Sequence, residues 1–215
     1  PAHKRCTTIL ELGVKKILGL IAVISLATLT ACGQANSAAT LGDITISQAK
    51  LQTTVDTLLK EREGQDVSQM QLETGADLNR SQLRFLIIAT IFDEIAKELK
   101  LEVTKTEIAT TSQNMISQSG GEAAFAGNLV AAQIASSNFE TYVRAIIISD
   151  KISAALVQSG VAEADVSTKL SQLVTAKTKE LKIKINPRYG TWDDAAGDIV
   201  ASDSAGDAVQ SNATN

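Results

Sequence analysis

The chain has 215 residues, a formal net charge of −4, one histidine and two cysteines. Its acidic balance excludes a broad basic surface, so nucleic acid is not expected as a partner. The length is sufficient for one domain with a single hydrophobic core.

The first recognisable element has the layout of a bacterial lipoprotein signal. Lys15 and Lys16 are followed by an apolar run over residues 17–29, and Ala31 places a small residue directly before Cys32. A secretory signal has a basic start, an apolar segment of about 7–15 residues and a small-residue cleavage site. The alternative is a transmembrane anchor, but that requires about 20 apolar residues. This run is shorter and is interrupted by Ser and Thr.

We therefore predict a signal peptide over residues 1–31, cleaved between Ala31 and Cys32. Residues 1–13 do not fit the usual shape of such a signal and are interpreted as an extension upstream of the true start. Cys32 would then carry a diacylglyceryl group and palmitate. Because two or more acyl chains give stable attachment, this lipid would anchor the protein to the extracytoplasmic face of the cell membrane.

Cleavage would leave the mature chain with few side chains suited to catalysis. His3, the only histidine, and Cys6 lie in the removed segment, and lipid occupies Cys32. Catalysis by Ser-His-Asp or Cys-His groups is thereby excluded, as are zinc, copper and haem sites that use these ligands. We predict no catalytic residue, no metal and no cofactor. Cleavage would also shift the net charge to about −7.

The mature chain divides into three segments by composition. Residues 32–39 are mostly small and polar and are expected to form a tether. Residues 40–193 are predicted to form one mainly α-helical domain. Residues 194–215 contain few apolar side chains, so burial cannot offset the entropy lost on ordering. This segment is predicted to be a disordered acidic tail.

The first two predicted helices carry clear apolar stripes. One begins at the capping residue Ser47 and is followed by a polar loop over residues 64–75. Its stripe consists of Leu51, Val55, Leu58 and Leu59. The other begins after Ser81 and is apolar over much of its circumference, so we expect it to be the central, buried helix. Its four-residue ladder consists of Leu83, Ile87, Ile91, Ile95 and Leu99.

Two capping-box motifs mark the starts of further helices. The motif over residues 104–107 predicts a helix to residue 117, stopped by two glycines. The motif over residues 137–140 predicts a long helix to residue 157. The remaining helices are predicted over residues 122–130 and 162–181.

Two segments at the ends of the domain alternate with the period of a β-strand. Residues 40–46 and 181–185 are both rich in β-branched side chains. Because an isolated strand leaves its backbone groups unpaired, we predict a small sheet that joins the two ends.

The segment after the last predicted strand reads Asn186-Pro187-Arg188-Tyr189-Gly190-Thr191-Trp192. With the lipoprotein signal, the opening strand and the Ser-capped helix, it resembles the N-terminal chaperone domain of SurA- and PrsA-type exported foldases, as this domain occurs in short actinobacterial lipoproteins. The resemblance extends over nearly the whole mature domain. It implies a SurA-type helical domain that binds unfolded exported polypeptides. Full-length relatives often carry a parvulin isomerase domain, which uses an active-site His and needs more sequence, so we expect none here.

Two interpretations of this motif are open. It could be a ligand-contacting turn, in which Arg188 pairs with a carboxylate. The structural interpretation is favoured, because Pro187 ends a strand and Gly190 permits a turn. Tyr189 and Trp192 are then expected to pack over the end of the domain.

Two pairs of adjacent carboxylates raise the question of acid/base chemistry. They are Asp93-Glu94 and Asp193-Asp194. Neighbouring helical residues point about 100° apart, so Asp93 and Glu94 cannot readily share a proton. We expect both to lie on a solvated face.

A set of apolar residues could form a surface for client peptides, although ordinary core packing is the alternative for each of them. The set is Phe125, Leu129, Ile134 and Phe139.

The sequence thus predicts a membrane-anchored, ATP-independent chaperone or foldase without enzymatic activity. One alternative is a protein related to peptidyl-prolyl isomerases, which cis/trans kinetics on a peptide would detect. The other is a scaffold lipoprotein with one dedicated partner, which recovery of a single stoichiometric protein from membranes would indicate.

Overall fold

A computed structural model describes residues 36–202. The described residues from Ser37 onwards belong to one compact unit. The predicted signal and Cys32 lie outside the described residues. Six helices occur within the described range: α1 Gln48–Glu63, α2 Gly75–Glu98, α3 Lys105–Gln118, α4 Glu122–Ala131, α5 Phe139–Gln158 and α6 Glu163–Leu181. The strands are β1 Ser37–Leu41, β2 Ile44–Ser47, β3 Lys184–Ile185, β4 Thr191–Asp193 and β5 Asp198–Val200. The fold is mainly α-helical, as predicted.

A small antiparallel sheet joins the two ends of the domain, which confirms that prediction. Its strand order is β2-β1-β3, and Ala39 of β1 lies opposite Ile185 of β3. The prediction of one strand over residues 40–46 was wrong, and so was the extension of the tether to residue 39, because β1 begins at Ser37 and residues 37–39 are buried. Gly42, at φ 58°, and Asp43 instead form a two-residue turn between β1 and β2.

Helix α2 is central, as expected, but it begins earlier than predicted. Leu78 is 1% exposed and adds an apolar contact upstream, so the helix starts at Gly75. Ser81 therefore lies inside the helix and donates its hydroxyl to the Leu78 carbonyl at 3.1 Å. Most of the predicted ladder is buried, but Leu99 follows the last turn and is exposed.

Two of the three predicted caps are present. The Ser47 hydroxyl accepts from the Lys50 amide at 3.1 Å. Thr104 and Glu107 form the reciprocal bonds of a capping box at the start of α3.

The capping box predicted at residues 137–140 was wrong. A short 3₁₀ turn precedes α5, and the cap residue is Asn138, whose side chain makes no cap bond. Asn138 is buried and donates to the Thr54 hydroxyl at 3.2 Å, while its oxygen accepts from Lys50. Tertiary contacts with α1 therefore use this side chain.

The chain remains structured past residue 193, contrary to the predicted disorder from residue 194. Strand β5 pairs with β4, and Ile199, opposite Trp192, is only 6% exposed. The pairing of β5 with β4 and the burial of Ile199 both hold this segment against the domain. Residues 203–215 lie outside the described residues. Within residues 36–202, no helix has the length and apolar character needed to cross a membrane.

Candidate functional site

An apolar cavity of about 370 Å³ opens between α2 and α5; we call it the α2–α5 cavity. Its apolar lining comes from two helical stripes with three- and four-residue spacing, so each set lies on one helix face. The stripes are Phe85, Ile88 and Phe92 on α2, and Tyr142, Ala145 and Ile146 on α5. All six side chains are partly exposed, so the cavity is accessible to solvent.

A second cavity, of about 290 Å³, lies where α3, α4 and α5 meet; we call it the α4 cavity. It is lined by all four members of the predicted apolar set, Phe125, Leu129, Ile134 and Phe139. The two phenylalanine rings pack edge to face, with their centroids 4.7 Å apart. Phe125 and Leu129 are also buried, so these residues belong to the core and to the cavity wall at once.

Tyr142 lines both cavities. The sequence identified the α4 cavity residues but not the α2–α5 cavity. The available signal was the wide apolar circumference of α2, which suggests burial but does not show where a neighbouring helix leaves a gap.

Ion pairs join α5 to α2 and to α3, and a hydrogen bond from α5 reaches the linker before α3. Arg144 donates from Nε to Asp93 at 2.7 Å, and Lys151 lies 2.5 Å from Glu107. Lys151, followed by the Thr104 cap, lowers the pKa of Glu107 to about 2. Lys151 also donates to the backbone carbonyl of Glu102 at 2.6 Å.

The adjacent carboxylates do not act as pairs. Asp93 binds Arg144, whereas Glu94 lies 3.4 Å from Lys97. In the β4–β5 loop, Asp193 accepts the amides of residues 195 and 196, and Asp194 accepts from the Trp192 indole at 3.0 Å. Within residues 36–202, no group of three or more His, Cys, Asp or Glu side chains could hold a metal ion.

The motif at residues 186–192 continues the sheet and forms a turn. The Asn186 amide donates to the Ala38 carbonyl at 2.9 Å, and its side chain donates to the Ser37 carbonyl at 3.0 Å. Tyr189 and Trp192 pack against the core. These contacts give the motif an architectural role at the end of the domain.

Arg188 of this motif contacts a side-chain amide, whereas the ligand-contacting interpretation expects a carboxylate. Its Nη1 donates to the Gln48 side-chain oxygen at 3.0 Å, and its guanidinium lies 5.3 Å from the centre of the Tyr189 ring.

A family model described as the SurA-like N-terminal domain matches residues 8–153. The match contains every α2 and α5 residue that we named in the two cavity walls and ends before the 186–192 motif. No curated protein and no solved structure matches the chain significantly.

Proposed function

The chain belongs to the SurA-like N-terminal domain family, and we propose that it is an ATP-independent chaperone that binds unfolded exported polypeptides in its α2–α5 cavity. The observation that carries this proposal is the accessible row of apolar side chains between α2 and α5, inside the matched segment.

The chemistry of the cavity suits a passive, reversible binder. Phe85, Phe92 and Tyr142 offer ring surface that is only partly covered by the protein. Burial of apolar surface is worth about 25 cal/mol per Å², so an unfolded segment can gain affinity here without an energy source. Because apolar contacts are not directional, many client sequences can be accommodated.

Ile88→Asp is expected to reduce chaperone activity several-fold, because a carboxylate would be placed in the apolar wall. The measurement is light scattering from a denatured test protein, with increasing amounts of the chain from residue 33 onwards. The matched control is Leu59→Asp, since Leu59 is an exposed leucine on α1 that does not line the cavity. Thermal melting of both variants checks that each is folded. Absence of suppression by the unmodified protein at molar excess would contradict the proposal, as would equal activity of the two variants.

We also propose that the protein acts at the extracytoplasmic face of the membrane, held by lipid on Cys32. The support is the sequence alone: a basic start, a short apolar run and Ala31 before the cysteine. Cys32→Ser should leave the precursor unprocessed or release the protein from the membrane fraction, whereas Cys6→Ser should not. Fractionation of cells and metabolic labelling with a palmitate analogue would measure this. Normal labelling of Cys32→Ser would contradict it.

A further inference from the structure

We propose that the α2–α5 cavity prefers apolar segments flanked by an acidic residue, and that Arg84 binds the carboxylate of that residue. This inference rests on the proposed function and specifies which clients the cavity selects. It follows from the position of Arg84, the contacts that hold its side chain, and the absence of other charged residues from the cavity walls within the described range 36–202.

Arg84 lies on α2 at the rim of the α2–α5 cavity, and its side chain is 47% exposed. Its Nε donates to the Gly197 carbonyl at 2.9 Å and lies 3.4 Å from a carboxylate oxygen of Asp198. Both partners belong to the β4–β5 hairpin, so the hairpin holds the guanidinium group at Nε. Within residues 36–202, neither terminal nitrogen of Arg84 donates a hydrogen bond.

The two terminal nitrogens of an arginine form a planar fork that matches the two oxygens of a carboxylate. Asp198 approaches the guanidinium group from the Nε side, away from the terminal nitrogens. Its Oδ1, which lies near Nε, also accepts the Ile199 amide at 2.7 Å. A client carboxylate could therefore bind end-on to Arg84 without displacing the hairpin.

Arg84 is the only charged residue in the walls of the two cavities, among the residues that the structure describes. An acidic group at the end of a bound segment would meet this cation, whereas a lysine would meet a like charge. The chain as a whole is acidic and would attract basic peptides non-specifically. The net negative charge of the protein would disfavour acidic flanks, so a measured preference for them would have to come from the local site at Arg84.

The test uses three fluorescein-labelled peptides with one shared apolar core of Leu, Phe, Val and Ala. Their flanking pair is Asp-Asp, Asn-Asn or Lys-Lys. Fluorescence anisotropy with the chain from residue 33 onwards gives each Kd. We expect the Asp-flanked peptide to bind about three- to fivefold more tightly than the Asn-flanked one at low salt, the range of an exposed ion pair. The difference should disappear in 1 M NaCl.

Three variants separate the role of Arg84 from general effects. Arg84→Gln should remove the preference while the Asn-flanked peptide binds within about twofold of the original Kd. Asp198→Asn should increase the preference, because a competing negative charge is removed. Arg80→Gln is the matched control: Arg80 pairs with Asp77 on the same helix, does not line the cavity, and should leave the preference unchanged.

Equal affinity for the three peptides would overturn this inference and leave the proposed function standing. Tightest binding of the Lys-flanked peptide would also overturn this inference and leave the proposed function standing, and it would indicate that the net negative charge of the protein governs recognition. Failure of every peptide to bind would overturn the proposed function, and this inference with it. If Arg84→Gln melts at a lower temperature, a loss of preference in that variant could reflect reduced stability. The affinities of Asp198→Asn then decide, because an unchanged preference for the Asp-flanked peptide in that variant counts against the role of Arg84.

Discussion

Gly190→Ala is expected to lower the free energy of unfolding by about 3 kcal/mol, combining backbone strain with a steric clash. Gly190 is buried at φ 124°, a backbone conformation that side chains of L-residues rarely adopt. A Cβ atom there would collide with the carbonyl oxygen of Val200 and lie 3.2 Å from a methyl carbon of Ile199. The obstructing oxygen belongs to the backbone of β5, which pairs with β4, so it cannot rotate away as a side chain would.

Urea denaturation followed by circular dichroism measures this loss. The control is Gly197→Ala, since Gly197 also has a positive φ of 62° but no atom within 4 Å of the added Cβ. That variant should lose only about 1 kcal/mol, the cost of the left-handed conformation alone. A loss for Gly190→Ala no greater than for Gly197→Ala would show that β5 yields to the added methyl group.

Capping residues and strong periodicity were the most reliable sequence signals, because they depend on a few neighbouring residues. The Thr104–Glu107 box satisfies two amide groups of its own helix and needs no distant partner. The errors arose where tertiary contacts decide. Leu58 and Leu59 point about 100° apart, so only the first can face the core, and Leu59 is exposed.

The β1–β2 turn shows a different kind of ambiguity. Alternation with period two continues across Gly42 and Asp43, so the segment reads as one strand. The glycine followed by aspartate was nevertheless a hairpin signal. A strand of four or five residues on each side is short, and only the pairing with β3 makes the hairpin part of a larger sheet.

The candidate site could be predicted only in part. The α4 cavity residues are close in sequence, so local inspection grouped Phe125, Leu129, Ile134 and Phe139 correctly. The α2–α5 cavity combines residues about 55 positions apart, such as Phe85 and Tyr142, and depends on how two helices are spaced. Periodicity alone does not contain that information.

A buried polar cluster that the sequence did not indicate holds the loop between α1 and α2. Arg62 is 9% exposed and donates to the Glu73 carbonyl at 2.7 Å and to the Gln133 side-chain oxygen at 2.9 Å. The same Gln133 oxygen accepts the Glu73 amide, and Gln82 donates to the Gln133 carbonyl. Burial lowers the pKa of Arg62, while the negative charge of Glu73 opposes that shift.

Arg62→Met is expected to cost about 3 kcal/mol of stability, because removal of one partner leaves buried polar groups unpaired. One carboxylate oxygen of Glu73 is already buried without a hydrogen bond, and the negative charge of Glu73 interacts favourably with the Arg62 cation. The double variant Arg62→Met/Glu73→Gln should therefore be more stable than Arg62→Met alone, by about 1 kcal/mol. Lys97→Met removes an exposed cation from a surface pair and should change stability by less than about 0.5 kcal/mol.

Urea denaturation of the original protein, Arg62→Met, Glu73→Gln and the double variant gives the coupling energy between Arg62 and Glu73. The sign of that energy separates two roles for Arg62. If Glu73→Gln recovers stability in the Arg62→Met background, the arginine compensates a buried negative charge. If it recovers nothing, Arg62 acts only through its hydrogen bonds to the Glu73 carbonyl and to Gln133. A loss for Arg62→Met as small as that for Lys97→Met would show that the loop holds its position without the cluster.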